Sequence, residues 1–218
     1  MHVANFFKDS DLEAVKHAVR EAEARTSGEI VPYVVGTSDD YAEAPWRGAT
    51  FGALVGALAA AVIHDLGGFW GGWFAAWVVA PALLGCAIGF ALALLVPAVR
   101  RALVDSHTLD RNVRRRAEVA FLHEEVFKTR DRTGILILVS LFERRVVVLG
   151  DAGINSAVAQ REWDSIVAGI VAGIRAGRSA QALVEGVVAC GLLLERRGVS
   201  IKPDDTDELR DDLRTEDR

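Results

Sequence analysis

The chain has 218 residues, enough for one or two ordinary domains. Its formal net charge of −5 argues against a nucleic-acid partner, which needs a basic face, and its two cysteines, Cys86 and Cys190, do not make a disulfide framework. Hydrophobic residues make up 51% of the sequence and charged residues 25%, and the two classes are segregated along the chain.

The first predicted elements are a helix and a strand. Apolar residues recur at helical spacing between Leu12 and Ala22, and Ser27-Gly28 marks the end of the helix. The run "EIVPYVV", which starts at Glu29, has the length and the β-branched composition of a strand. The chain therefore begins like a water-soluble α/β domain.

An apolar block follows this strand. Between Gly48 and Val99 the only Asp, Glu, Lys or Arg is Asp65. A membrane-spanning helix needs about 20 mostly apolar residues, so we predict a hairpin of two transmembrane helices within residues 47–99. The alternative is two buried helices in a soluble core. We do not favour it, because a chain of this size has too little other surface to cover two helices that are apolar all round.

Glycines and arginines add detail to the hairpin. Gly48, Gly52 and Gly56 place small residues every four positions, a spacing that allows close helix packing, either within the hairpin or against a second copy.

Arginines flank the hairpin on both sides, as at Arg47 and Arg100, whereas the connecting loop has no Lys or Arg. The positive-inside rule then places both termini and the α/β domain on the cytoplasmic side of the plasma membrane, a bacterial inner membrane.

The soluble pattern resumes after the hairpin. A long helix begins near Thr108, "TGILILVS" and "RVVVLG" read as strands joined by the turn "LFERR", and two amphipathic helices follow. Neither side of the hairpin has enough strands to fold alone. We therefore predict one discontinuous α/β domain of residues 1–46 and 100–200. The acidic tail, residues 201–218, is charge-rich and poor in apolar residues, which predicts disorder.

Two long segments carry a resemblance to a known family. "FFKDSDLEAVKHAVREAEARTSGEIVPYVV" and "AEVAFLHEEVFKTRDRTGILILVSLFERRVVVLGDAGI" together resemble the TPM domain, a family named for thylakoid and photosystem-repair proteins. The chain is most similar to bacterial membrane-anchored members with a hairpin after the first strand. The resemblance implies an α/β/α sandwich around a small mixed sheet. Members of the family include acid phosphatases, binders of divalent cations and accessory factors of membrane complexes, and many have no known activity, so the resemblance predicts fold and location better than reaction.

Acidic residues at the strand ends are the candidate metal ligands. If the first two strands are parallel, Asp39, Asp40 and Glu143 converge at one edge of the sheet. An antiparallel third strand then brings Asp151 to the opposite edge, near Glu29. Oxygen clusters of this kind suit Ca²⁺ or Mg²⁺. The competing interpretation is that these residues serve as turn and capping residues, with Glu143 paired to a nearby arginine.

The sequence does not identify a catalytic residue. An aspartyl nucleophile at Asp151 would need a second Asp two residues later, and that position is Gly153. Cys190 and Arg196 have the spacing of a cysteine phosphatase, but the residues between them are apolar and helical, so we predict that Cys190 lies in the core. Whether the protein is an enzyme stays open at this level.

Two functions from different classes remain. The first is a membrane-anchored accessory or scaffold factor that meets a membrane-protein partner at the cytoplasmic face of the lipid bilayer and binds a divalent cation. The second is a metal-dependent, acid phosphatase-like hydrolase. We favour the first, because a reaction has to be argued from a site and the sequence shows no complete one.

Overall fold

A computed structural model describes residues 3–67, 74–156, 158–199 and 209–217. The chain divides into an α/β unit, residues 1–39 with 110–218, and a helical unit, residues 40–109. Residues 68–73 of the predicted hairpin loop and residues 201–208 of the predicted disordered tail lie outside the described residues.

The strands and helices follow the predicted order, with short additional elements after the hairpin, after the third strand and in the tail. The elements are α1 (Asp9–Glu23), β1 (Ile30–Val35), α2 (Glu43–Leu66), α3 (Phe74–Leu95), α4 (Pro97–Ala102), α5 (Ser106–His123), β2 (Ile135–Ser140), β3 (Arg145–Gly150), α6 (Ala152–Asn155), α7 (Gln160–Arg175), α8 (Ser179–Arg196) and β4 (Arg214–Glu216).

The sheet is mixed and has the strand order β3-β2-β1-β4. β1 and β2 are parallel, with Ile30 opposite Ile135, and β3 runs antiparallel to β2. The parallel β1 and β2 and the antiparallel β3 confirm the strand orientations from which the two groups of candidate carboxylates were predicted. The parallel pair is buried along its whole length, as expected for strands that are covered on both faces.

Helices cover both faces of this sheet. Alternate residues of β1 and β2, such as Ile30 and Ile137, pack on a core shared with α1, α7 and α8. The intervening residues, such as Val31 and Leu136, pack on a second core with α5. The strand period of two thus sends apolar side chains to both layers. The predicted α/β/α sandwich is confirmed.

The tail differs from its prediction. Arg214–Glu216 form β4, which pairs parallel to β1 with Tyr33 opposite Arg214. Disorder was predicted from the high charge of the segment, but those charges are neutralised by partners on the folded unit, as in the 2.6 Å pair of Lys16 with Asp212. The prediction of disorder is therefore wrong for residues 209–217.

The helical unit contains α2 and α3, which pack through glycines. A Cβ added at Gly52 would lie within 3.0 Å of the Gly85 carbonyl oxygen, and one added at Gly89 would lie equally close to Gly48. The same holds for Gly56 against the Pro81 carbonyl. The small-residue stripe is therefore used within the hairpin, where it brings two backbones into contact.

The boundaries of the helical unit are wider than the predicted hairpin of residues 47–99. The unit spans Asp40–Leu109, because α2 begins at Glu43 and because α4 follows α3 after a single residue. Arg47 also donates a 2.9 Å hydrogen bond to the Leu103 carbonyl, and Arg100 donates to the Asp40 carbonyl. The arginines that flank the predicted hairpin therefore also form hydrogen bonds that hold the two ends of this unit together.

Candidate functional site

Glu143 is the centre of a polar cluster at the carboxyl ends of β1 and β2. Its side chain is fully buried. The backbone N–H of Ser38 donates to Glu143 Oε1 at 2.8 Å, the Thr37 hydroxyl approaches the same oxygen at 3.4 Å, and the Ser140 hydroxyl donates to Oε2. Ser38 and Ser140 are joined by a 2.9 Å hydroxyl contact. One carboxylate thus ties together the ends of two neighbouring strands.

Asp39 lies beside this cluster and is exposed. Asn112 of α5 donates to Asp39 Oδ2 at 2.8 Å, and the Asp39 carbonyl accepts from the Thr37 hydroxyl at 2.9 Å. Asp40, the third predicted ligand, is the first residue of the helical unit. The structure therefore places Asp39 and Glu143 in one unit at the same end of the sheet, and Asp40 in the other unit.

The sequence analysis missed the hydroxyl groups of this edge. Thr37, Ser38 and Ser140 stand directly after β1 or at the end of β2, in "GTSDD" and "LVS". Since the carboxyl ends of adjacent parallel strands meet at one edge, these hydroxyls could have been predicted to surround Glu143. Across the described ranges, no group of three or more His, Cys, Asp or Glu side chains is placed to hold a metal ion.

The alternative edge has a different organisation. Asp151 follows β3, is almost fully buried, and forms an ion pair with Arg132 at 2.6 Å. Its Oδ1 also accepts from the Ala152 N–H at 2.7 Å, so it caps α6. These contacts agree with the interpretation of Asp151 as a capping residue.

Glu29, the other candidate of this edge, lies at the start of β1 and is also buried. Its carbonyl accepts from the Ile135 N–H at 2.7 Å. The start of β2 therefore separates β1 from the end of β3, which places the backbones of Glu29 and Asp151 roughly 10 Å apart, two strand spacings.

A third polar cluster joins the tail to β1 and α5. Glu216 Oε2 accepts from the Tyr33 hydroxyl at 2.6 Å and pairs with Arg116 at 2.5 Å, while Arg214 pairs with Glu124 at 3.0 Å. Burial would raise the pKa of Glu216, but the hydrogen bonds from Tyr33 and Arg116 outweigh it, and the pKa lies below its usual value. Burial, together with the bond to Glu216, raises the pKa of Tyr33.

Cys190 lies in the core, as predicted. It is fully buried within α8, and burial raises the pKa of its thiol to about 12. A reactive cysteine needs an accessible, low-pKa thiolate, so Cys190 acts as a small core side chain.

Comparisons with known proteins address the family and the fold. A family model described as TPM domain matches residues 99–191. No curated protein matches the chain. The solved NMR structure of the BA42 protein from the psychrophilic bacterium Bizionia argentinensis is similar, with a TM-score of 0.60 and 22% identity over 98% of this chain and 97% of BA42. The chain therefore carries a TPM domain match over residues 99–191, within a mixed α/β fold that resembles that of BA42.

Proposed function

We propose that this chain is a membrane-anchored accessory or scaffold protein whose TPM-like α/β unit works at the cytoplasmic face of a bacterial plasma membrane. The observation that carries the membrane part is the exposed apolar surface of α2 and α3. Leu58 is 68% exposed and Leu95 is 75% exposed. In the most apolar 18-residue stretch of each helix, only 11% of α2 and 6% of α3 is buried. The core helix of a soluble protein is mostly buried.

Length and hydropathy fit the same proposal. The two candidate spans, Glu43–Leu66 and Ala75–Leu95, have 24 and 21 residues, close to the roughly 20 that cross a bilayer. A contiguous apolar surface of this size is unusual on a soluble protein. Lipid chains would cover it without any further protein partner.

The scaffold part is supported by the roles of the buried carboxylates. Glu143 joins the ends of β1 and β2, and Asp151 caps α6 and pairs with Arg132. Both therefore stabilise the fold. The proposal includes Ca²⁺ or Mg²⁺ only at the Asp39 and Glu143 edge, where the Thr37 hydroxyl lies 2.9 Å from the Asp39 carbonyl and 3.4 Å from Glu143 Oε1, oxygen atoms of the type that these ions prefer.

The membrane proposal predicts resistance to extraction. The full chain should stay in the membrane pellet after washing with high salt and then with alkaline carbonate, because two spans bury far more apolar surface than a surface helix does. Immunoblots of pellet and supernatant measure this, with a peripheral membrane protein as the control that must be released. Recovery in the alkaline supernatant would contradict the proposal.

The orientation is tested by cysteine labelling in intact cells. Gly71→Cys in the loop between the spans should react with a membrane-impermeant maleimide, whereas Arg218→Cys at the end of the tail should react only after the cells are opened. The unmodified chain, with Cys86 and Cys190, supplies the background. Labelling of Arg218→Cys alone would place the α/β unit outside the cell.

The alternative is the acid phosphatase-like hydrolase, which is favoured by one observation. Asp39 is exposed, its backbone carbonyl accepts from the Thr37 hydroxyl, and its carboxylate accepts from Asn112. Turnover of a chromogenic phosphate ester by the full chain in detergent, dependent on Mg²⁺ or Ca²⁺, is the assay. Loss of turnover in Asp39→Asn and Asp40→Asn, without loss of thermal stability, would make the hydrolase the better proposal.

A further inference from the structure

The outer edge of β1 is open to a strand partner over only a short length. The Ile135 N–H donates to the Glu29 carbonyl, and the Leu141 N–H donates to the Val35 carbonyl. The backbone N–H and C=O groups of the odd-numbered residues of β1 therefore point toward β2, and those of the even-numbered residues point toward the outer edge of the strand. Among these, the Ile30 N–H already donates to Glu23 Oε1 at 2.8 Å, and Pro32 has no N–H.

Val34 and Gly36 are the two positions left with outward N–H groups, and the tail lies against them. β4 pairs with Tyr33 to Val35, and the Gly36 N–H donates to the Glu216 carbonyl at 2.8 Å. An edge strand that is blocked at one end and paired at the other is protected against uncontrolled pairing. The edge thus accepts about three residues of a parallel strand.

The side chains around this edge favour particular residues at particular positions of the strand that pairs with it. Arg214 meets Glu124, and Glu216 meets Arg116 and Tyr33, so a basic and an acidic residue are recognised two positions apart on the α5 side. On the opposite side, Leu213 packs against the core that includes α1. The pattern is Leu-Arg-x-Glu, and the charges Asp211 and Asp212 precede it.

The ion pairs of the tail differ in their exposure. Lys16 and Asp212 pair at 2.6 Å, and Asp212 is more than half exposed, so this pair contributes little to stability and is weakened by salt. The pair of Arg20 with Asp211 has a buried carboxylate, and Arg214 and Glu124 are both largely buried, so a segment that replaces the tail has to supply matching charges. The backbone ladder adds only three residues.

We propose that the outer edge of β1 is a strand-binding site, and that a membrane-protein partner docks there by replacing the tail with an extended Leu-Arg-x-Glu segment of its own. Main-chain hydrogen bonds would give such a complex its affinity and the two charge pairs its specificity. The proposal deepens the scaffold function and rests on it. Membrane attachment is tested separately, so either can fail alone.

A fluorescent peptide with the sequence of residues 209–217, LRDDLRTED, is the probe. The full chain in detergent should bind it weakly, because the tethered tail competes at an effective concentration on the order of millimolar. The double variant Arg214→Glu, Glu216→Lys places like charges against Glu124 and Arg116, so its tail should leave the edge. We expect this variant to bind the peptide at least tenfold more tightly than the wild type.

Two controls make the measurement specific. A scrambled peptide of the same composition should not bind the double variant, and Arg116→Glu added to that variant should abolish binding of the LRDDLRTED peptide. A peptide with Lys at the position of Glu216 should then bind the triple variant again. Equal binding of the original and scrambled peptides, or no binding to the double variant, would overturn the proposal.

Hydrogen exchange on the wild-type chain gives a second measurement that needs no variant. Detachment of the tail exposes the Val34 and Gly36 amides, so their exchange should accelerate severalfold between low and high salt. The Ile137 amide in β2 should not respond. Salt-independent exchange of Val34 at the rate of Ile137 would show that β4 is a permanent part of the sheet, which would also overturn the proposal.

Discussion

Replacing Glu143 with alanine is expected to lower the free energy of unfolding by about 2–4 kcal/mol, since it leaves the partly buried Ser38 N–H without its acceptor and removes a buried carboxylate that accepts several hydrogen bonds. Glu143 is fully buried, and it joins β1 to β2 through Ser38 and Ser140. For a unit of this size, such a loss corresponds to a fall in Tm of about 10 °C.

Glu143→Gln is the matched control. Its amide oxygen can still accept from the Ser38 N–H, and its amide nitrogen can donate to the Ser140 hydroxyl, so we expect a loss below about 1.5 kcal/mol. Thermal unfolding of both variants and the wild type in the same detergent measures the difference. Equal Tm values for the alanine variant and the wild type would contradict the assigned role of Glu143.

The same pair of variants also examines cation binding. If Ca²⁺ binds at this edge, millimolar Ca²⁺ should raise the Tm of the wild type but not that of Glu143→Gln, which keeps the hydrogen bonds and loses the charge. Asp39→Asn should behave in the same way. An identical rise in the wild type and in both variants would place the ion elsewhere.

The sequence was sufficient to predict the sandwich because its apolar patterns are strong. Uninterrupted apolar residues in "ILILVS" indicate a strand covered on both faces, and the structure places Ile135 and Leu136 in different cores. The short turn "LFERR" requires an antiparallel β3, which the structure also shows. These are local signals, and a local signal can be read without knowing the rest of the fold.

The tail could not be predicted in this way, because its structure depends on distant partners. Arg214 pairs with Glu124 and Glu216 with Arg116, contacts that span about a hundred residues of sequence. Composition alone indicates that such a segment cannot build a core of its own, and that is true. It does not reveal that a sheet edge with complementary charges already exists elsewhere in the chain.

The sequence predicted which carboxylates lie at the same edge of the sheet, but it did not predict their burial or their contacts. Parallel β1 and β2 do bring Asp39 and Glu143 to the same end of the sheet. Whether a carboxylate is exposed or buried depends on side-chain packing, and Glu143 is turned into the protein whereas Asp39 is turned outward. Spacing along the chain does not carry that information.

Removal of the helical unit is the second large-effect prediction. A chain in which residues 40–109 are replaced by a short Gly/Ser linker should be soluble without detergent and should unfold cooperatively. The described core clusters on the two faces of the sheet consist of residues of the α/β unit, such as Val34, Val113 and Ile137. The deletion therefore removes none of them.

The ends left by the deletion are close together. Asn112 donates to Asp39 at 2.8 Å, so the Cα atoms of these two residues are at most about 10 Å apart, a gap that about four linker residues can span. A serine as the last linker residue would cap the shortened α5 at Asp110. Loop-closure entropy changes little, because it grows by only about 0.6 kcal/mol per doubling of loop length.

Gel filtration and thermal unfolding of the shortened chain measure the outcome, and the same chain with Leu136→Asp is the control that should fail to fold. A monodisperse protein with one sharp transition, and with the same Tm loss on Glu143→Ala as the full chain, would show that the α/β unit folds without the helices. Aggregation of the shortened chain would show instead that the helical unit covers apolar surface of the α/β unit, and the interpretation of α2 and α3 as an anchor inserted into a self-sufficient fold would have to be abandoned.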